Sequence, residues 1–158
     1  MEKKILFIDM DGVLVDFGHQ VKNIMNDPKI SKELKDRPDL IKNIFLDPPP
    51  IDGAIDAINK LKESKKYELF IATTAPWNNP PSFMHKRLWV ENYFGDIFKK
   101  RIFITSRKDL LVGDFLIDDR LANGAGEFKG ELLRFGWDYE RKKWNEYKNW
   151  NMILDKLI

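Results

Sequence analysis

The sequence predicts an α/β protein: a doubly wound, Rossmann-like, mostly parallel five-stranded sheet with a small helical cap inserted after the first strand. Three observations predict it. Five short apolar runs, rich in β-branched and aromatic residues, cover 4–8, 67–72, 101–104, 115–117 and 131–135. Each run is nearly continuous in hydrophobicity, as strands buried on both faces are. Helical patterns fall between them, and strand alternating with helix builds a parallel sheet.

The first run, ILFI, leads into Asp9, Met10, Asp11 and Gly12, after which an apolar run resumes as VLVDF. Residues 18–50 break the strand–helix rhythm. Val21, Ile24 and Met25, then Leu40, Ile41, Ile44 and Phe45, stand at helical spacing between Pro28, Pro38 and the closing Pro48-Pro49-Pro50. This segment is expected to be a small helical cap over the strand ends, with residues 1–17 and 51–158 forming the core. GAIDAINKLKES (53–64) puts Ala54, Ala57, Ile58 and Leu61 on one stripe and leads into the second strand. PPSFMHKRLWVENYFG (80–95) starts on prolines and stops at Gly95, sensible helix boundaries. At the C-terminus, Trp144, Tyr147, Trp150, Leu154 and Leu157 recur every three or four residues. That spacing predicts a terminal amphipathic helix packed on the core; the alternative is a basic-aromatic surface for nucleic acid.

Composition narrows the function classes. At 158 residues, with 43% apolar residues and a net charge of +2, the chain reads as one globular domain. It has no cysteine, which excludes disulfides, thiolate metal sites and a Cys nucleophile, and fits a cytoplasmic protein. The N-terminal apolar run meets Asp9 too soon for a signal-peptide core, and no stretch approaches the ~18–20 apolar residues of a membrane span. The basic residues are too dispersed to predict a nucleic-acid partner. Nothing in the chain indicates an oligomeric state.

The chemistry-bearing residues gather at the predicted strand ends. Asp9 and Asp11 follow the first strand, Thr73 and Thr74 end the second, Ser106, Arg107 and Lys108 follow the third, and Asp118, Asp119 and Arg120 end the fourth. In a parallel sheet these segments meet at one rim, where open α/β sheets bind ligands. Clustered carboxylates repel, so a positive group must sit among them. A hard divalent cation with oxygen ligands, Mg²⁺, would do so and leave positions for phosphate oxygens. With a lysine and a hydroxyl beside it, such a site suits a phosphoryl group. Asp9 could attack phosphorus as a carboxylate nucleophile, while Asp11 hands a proton to the leaving oxygen and later takes one from water. Taken singly, D-x-D-G is also a good turn, Lys108 a solvated lysine and the Asp118-Asp119 pair a helix cap. A calcium loop would need a closing Glu and flanking helices.

These residues resemble the four motifs of the haloacid dehalogenase superfamily of phosphohydrolases: FIDMDGVL, Thr73 in FIATTAP, Lys108 in TSRKDLL, and Asp118-Asp119 in FLIDDR. The pairing of DMDGVLVDF with WVENYFG and LIDDR is similar, more narrowly, to the 5′(3′)-deoxyribonucleotidase family. The resemblance implies a Mg²⁺-dependent phosphomonoesterase working through an aspartyl-phosphate on Asp9, with nucleoside monophosphates as substrates. It implies Asp11 as general acid/base, its backbone carbonyl binding the metal with Asp9 and Asp119, and Asp118 behind them or acting through water. Thr73, Thr74 and Lys108 would hold the phosphate. Phe17 matches an aromatic that flanks the base, and Phe45 and Trp77 are further candidates for the same apolar slot. The second motif departs from the family's more familiar form, which has proline one place earlier than Pro76. Neither His19 nor His85 falls in a motif, and both are expected to be surface or packing residues.

Three other readings stand beside this one. A phosphatase of the same superfamily could act on a different small metabolite or on a nucleic-acid 3′-phosphate end. A receiver-like signalling domain also combines acids, a hydroxyl and a lysine on a doubly wound sheet, but its acid pair ends the first strand and its phosphorylated Asp lies on the third. A binding protein that has lost catalysis would be expected to lack some of these groups.

Overall fold

The computed structural model describes residues 2–158. Five strands form one sheet: β1 (Lys4–Ile8), β2 (Tyr67–Thr73), β3 (Ile102–Ile104), β4 (Phe115–Asp118) and β5 (Glu131–Arg134). Every pairing is parallel, in the order β3-β2-β1-β4-β5. The chain winds from β1 outward to β3, then returns to lay β4 on the other side of β1. The β1–β4 boundary is therefore where the winding reverses, the place at which α/β sheets open a ligand crevice beyond the strand ends. The register sets Ile8 beside Ile117, which brings the residues that follow, Asp9 and Asp118, side by side.

The helix over 54–64 follows its predicted stripe, and the one over 81–94 keeps close to its predicted boundaries. In α3 (Ala54–Ser64) the buried residues are Ala54, Ala57, Ile58 and Leu61. In α4 (Pro81–Phe94) they are Ser82, His85, Lys86, Trp89, Val90 and Phe94. Between β1 and α3 lie α1 (Phe17–Met25), capped by the Asp16 side chain, and α2 (Lys32–Asp36), capped by Ser31, followed by a 3₁₀ turn at Pro38–Leu40. This helical segment is pinned from outside: the buried Asn79 side chain donates to the carbonyls of Asp39 and Ile41, each at 3.0 Å. The core packs Leu6, Ile8, Leu14, Ile71, Trp89, Phe98, Ile117 and Trp150 around the sheet. Both buried indoles find acceptors on the backbone that frames the strand ends, Trp89 on Pro48 at 2.8 Å and Trp150 on Val13 at 2.9 Å. Buried tryptophans need such a partner, and here they fix the loops as well.

The C-terminal stretch corrects the sequence expectation. Only Trp150–Leu157 is helical (α5), capped by Asn149. Trp144 and Tyr147 lie outside it. Residues 137–144 instead form an antiparallel hairpin of β6 (Trp137–Asp138) and β7 (Lys143–Trp144), set off by Gly136 at φ 72° and closed through Lys142 at φ 52°. The physical reason is Asp138. Its buried carboxylate accepts from Arg134 at 2.9 Å, from Arg141 at 2.6 Å, and from the backbone N–H groups of Glu140 and Arg141. A carboxylate that takes up those backbone donors makes a turn, which wins over helix periodicity.

The same network gives a pH prediction. Hydrogen bonds from the Arg141 side chain and then from its backbone hold Asp138 down to about 2, below the ordinary 3.8. A depressed carboxyl stabilises the fold above its unfolded value and loses that contribution as pH falls through the folded value. Near-ultraviolet circular dichroism of the tryptophans is therefore expected to step down between pH 3.8 and about 2 as the Trp137–Trp144 pair loosens. In Asp138→Asn the signal should already be reduced at neutral pH, with no step in that window.

Candidate active site

The rim is built from four strand ends, and each residue there has a local cause. Asp9 continues β1 by one residue, its N–H donating to Ile117 at 2.9 Å. The chain then turns tightly, with the N–H groups of Val13, Leu14 and Val15 all donating to the Met10 carbonyl. Gly12 stands at the crowded point of this turn. Its φ is +80°, and a side chain there would land on the Asp119 carboxylate. Only glycine lets the turn and Asp119 approach so closely. Thr73 closes β2 and is fully buried, while the Thr74 hydroxyl donates to the Thr105 carbonyl at 2.9 Å. Lys108 opens a 3₁₀ turn after β3, anchored by its N–H on Asn123 at 2.9 Å.

These elements bring the predicted acids and the predicted lysine together. Lys108 is 3% exposed, and its ammonium donates to Asp118 at 2.6 Å and to Asp9 at 3.1 Å. Asp9, Asp118 and Asp119 each offer a carboxylate oxygen within 4.8 Å of the others, and all three are buried. Burial and then the neighbouring Asp9 push Asp118 up to about 6, against the pull of Lys108. Burial, Asp9 and Asp118 push Asp119 well above the usual carboxylate range. Burial alone would lower the Lys108 ammonium, but Asp9 and Asp118 hold it above its ordinary value. Lys108 thus pairs with only two of the three acids, and the cluster carries surplus negative charge that an oxygen-liganded divalent cation would neutralise. Asp119 lines the cleft and is placed for that role. Asp118 is already oriented by Lys108 on one oxygen and by the Arg120 N–H, at 3.0 Å, on the other.

Asp11 faces elsewhere, and its partner is a residue that no motif announced. Lys86, midway along α4 and 1% exposed, donates to Asp11 Oδ2 at 2.7 Å and to Thr73 Oγ1 at 3.0 Å. Its ammonium also lies 4.6 Å from the centre of the Phe45 ring, a cation–π contact. Asp11 Oδ1 is buried with no hydrogen-bond partner. The signal in the sequence was a lysine on a buried helical stripe, since 82, 86 and 89 share one face with 85 and 90. Asn145 likewise belongs to no motif. Its buried amide donates to the carbonyls of Asp119 at 3.1 Å and Phe135 at 3.0 Å, tying the hairpin to the acid pair.

The acids open into a cleft of about 1220 Å³, lined also by Phe17, Phe45, Trp77, Lys108 and the hairpin. Phe17 and Phe45 stack on each other, with centroids 5.2 Å apart and planes 9° from parallel. Phe45 is buried beneath, and Trp77, 87% exposed, stands on the rim. His19 is exposed on α1 and His85 is buried in α4; neither belongs to the acidic cluster. Among the described residues no helix is long and apolar enough to cross a membrane.

The model of the family described as 5′ nucleotidase, deoxy (pyrimidine), cytosolic type C matches residues 37–158. A provisionally named 5′(3′)-deoxyribonucleotidase of Vibrio phage KVP40 is 40% identical over 156 residues, covering 99% of this chain and 85% of the phage protein. The human cytosolic-type 5′(3′)-deoxyribonucleotidase is 30% identical over 140 residues, covering 73% of this chain and 70% of the human one. The 5′(3′)-deoxyribonucleotidase of Bacillus subtilis is 27% identical across 99% of both chains. Among solved structures, a haloacid dehalogenase-like hydrolase of Streptococcus pneumoniae superposes over 99% of both chains with TM-score 0.63 at 16% identity. A provisionally named hydrolase of that superfamily from Bacillus subtilis, solved with magnesium bound, gives TM-score 0.56 at 14% identity over 99% of both. At such identities these likenesses concern the fold, which is that of the haloacid dehalogenase hydrolases.

Proposed function

The chain belongs to the family of deoxy (pyrimidine) cytosolic type C 5′-nucleotidases and 5′(3′)-deoxyribonucleotidases, and from that premise we propose that it is a Mg²⁺-dependent phosphomonoesterase acting on deoxynucleoside monophosphates. The observation that carries this reading is the buried cluster of Asp9, Asp118 and Asp119 around Lys108, at the point where the sheet's winding reverses and the cleft opens.

Asp9 is the proposed nucleophile. Lys108 holds its Oδ1 and keeps the carboxylate oriented toward the cleft. The oxygen that attacks forms a bond to phosphorus as the bond from phosphorus to the nucleoside oxygen breaks. Asp11 gives that leaving oxygen its proton, then takes a proton from the water that attacks the aspartyl-phosphate and frees Asp9. Lys86 acts as a positioning residue by fixing Asp11 Oδ2 and leaving Oδ1 free for that exchange. Thr74 and Lys108, both on the cleft lining, contact the phosphoryl oxygens, while Thr73, expected to share that role, is fully buried behind them and receives the Lys86 ammonium. Asp9, Asp119 and the backbone carbonyl of Asp11 would hold the cation, with Asp118 oriented behind them. When bound, the ion neutralises charge on the phosphoryl oxygens.

The test is phosphate release from a panel of deoxynucleotides, ribonucleotides, sugar phosphates and a chromogenic phosphate ester. We expect kcat/KM for deoxynucleoside monophosphates to exceed that for sugar phosphates by at least about tenfold. Chelation should abolish activity, and Mg²⁺ should restore it. A panel led by sugar phosphates would overturn the substrate assignment, and full activity in chelator would overturn the metal requirement.

A further inference from the structure

The Phe17–Phe45 pair cannot sandwich a base as it stands. Its centroids are 5.2 Å apart, whereas a ring inserted between two others needs about 7 Å, twice the carbon–carbon contact distance. The helical segment therefore offers the cleft one aromatic face. Apart from Trp77 on the rim, the other exposed aromatic faces of the cleft belong to the β6–β7 hairpin, which the sequence motifs do not touch.

Trp137, Tyr139 and Trp144 line the same cleft as Asp9 and Asp119. Tyr139 is 68% and Trp144 53% exposed, while Trp137 meets Trp144 edge-on at 5.4 Å and 80°. The hairpin begins at the catalytic turn: a Cβ on Gly136 would sit 3.4 Å from the Gly12 carbonyl. It ends against α1, where a Cβ on Gly18 would sit 2.9 Å from the Tyr139 hydroxyl. It thus spans the distance from the acids to the helical segment along one side of the cleft. A two-stranded hairpin is marginal on its own. This one is held by the buried Asp138 with two arginines, and by Asn145 bonded to the Asp119 carbonyl. The clamp keeps exposed rings at a fixed place beside the acids, which is how a flat ligand is received at low entropic cost.

We propose that the β6–β7 hairpin is the second wall of the substrate site, with Trp144 and Tyr139 taking the planar base of a nucleotide whose phosphate lies at Asp9, and Trp137 bracing Trp144. This rests on the nucleotidase reading above. Stacking on such rings tolerates any base, so the hairpin selects for a nucleoside over a ringless alcohol rather than for one base over another.

The test compares a deoxynucleoside monophosphate with glycerol 2-phosphate in the wild type, Trp144→Ala, Tyr139→Ala and Trp144→Phe, all in the full chain. In both alanine variants the nucleotide's advantage in kcat/KM should shrink by about tenfold or more, chiefly through KM, and Trp144→Phe should recover most of it. If the wild type prefers the nucleotide and the alanine variants keep that preference, the hairpin inference fails while the nucleotidase reading stands. Equal losses on both esters would also overturn it, because the hairpin would then act only by holding Asp119. A wild type with no preference for the nucleotide would overturn both.

Discussion

Asp9→Asn is expected to lower turnover by about 10⁴-fold or more while leaving a folded protein. An amide cannot attack phosphorus, so the loss falls on kcat. The fold survives for an electrostatic reason. Asp9 is second only to burial in raising both Asp118 and Asp119, so removing its charge relieves repulsion in the metal-free cluster. Lys108 keeps its shorter bond, 2.6 Å to Asp118. Thermal unfolding should give a Tm within about 3 °C of the wild type, since about 1 kcal/mol moves a domain of this size by only a few degrees. Substantial activity in this variant would contradict the mechanism, and collapse of the fold would contradict the electrostatic account.

Lys86→Met carries the second-largest effect, about 10²-fold in kcat with KM little changed, because Asp11 loses the group that orients it. Stability should change far less. Methionine fills much of the same space, and replacing a buried charge by an apolar side chain is often nearly neutral. The carboxylate left behind is 32% exposed at its side chain and can take water. Lys86→Ala should lose a similar factor and regain part of it when a small alkylammonium ion is added, by filling the space beside Asp11 and Thr73. Failure of that rescue, together with wild-type kcat in Lys86→Met, would reduce Lys86 to a packing residue.

How legible these features were in the sequence depends on how local their causes are. The strands were legible because each carries its own run of apolar residues, and the five runs match the five observed strands to within a residue at either end. The acids, Thr74 and Lys108 were legible because each stands at or just after a strand, and a parallel sheet delivers such positions to one rim. Lys86 was not, because it reaches the rim from the middle of a helix, and its partners Asp11 and Thr73 are joined to it only by the packing of α4. The hairpin was misread because Trp144, Tyr147 and Trp150 imitate a helical stripe. What decides the conformation there is the capture of backbone N–H groups by Asp138 and a left-handed Lys142, neither of which hydrophobic periodicity registers. The stacked Phe17–Phe45 pair is a similar case. Each ring was a reasonable partner for a base when considered alone, and only the folded chain places them against each other.

The central claim is that phosphorus becomes bonded to Asp9. The most direct measurement is borohydride trapping during turnover of a deoxynucleoside monophosphate by the wild-type protein. Reduction converts an aspartyl-phosphate to homoserine, and peptide mass spectrometry reads the position. The account predicts homoserine at residue 9, dependent on both substrate and Mg²⁺. Continued phosphate release with residue 9 unmodified, or trapping at another carboxylate, would contradict it.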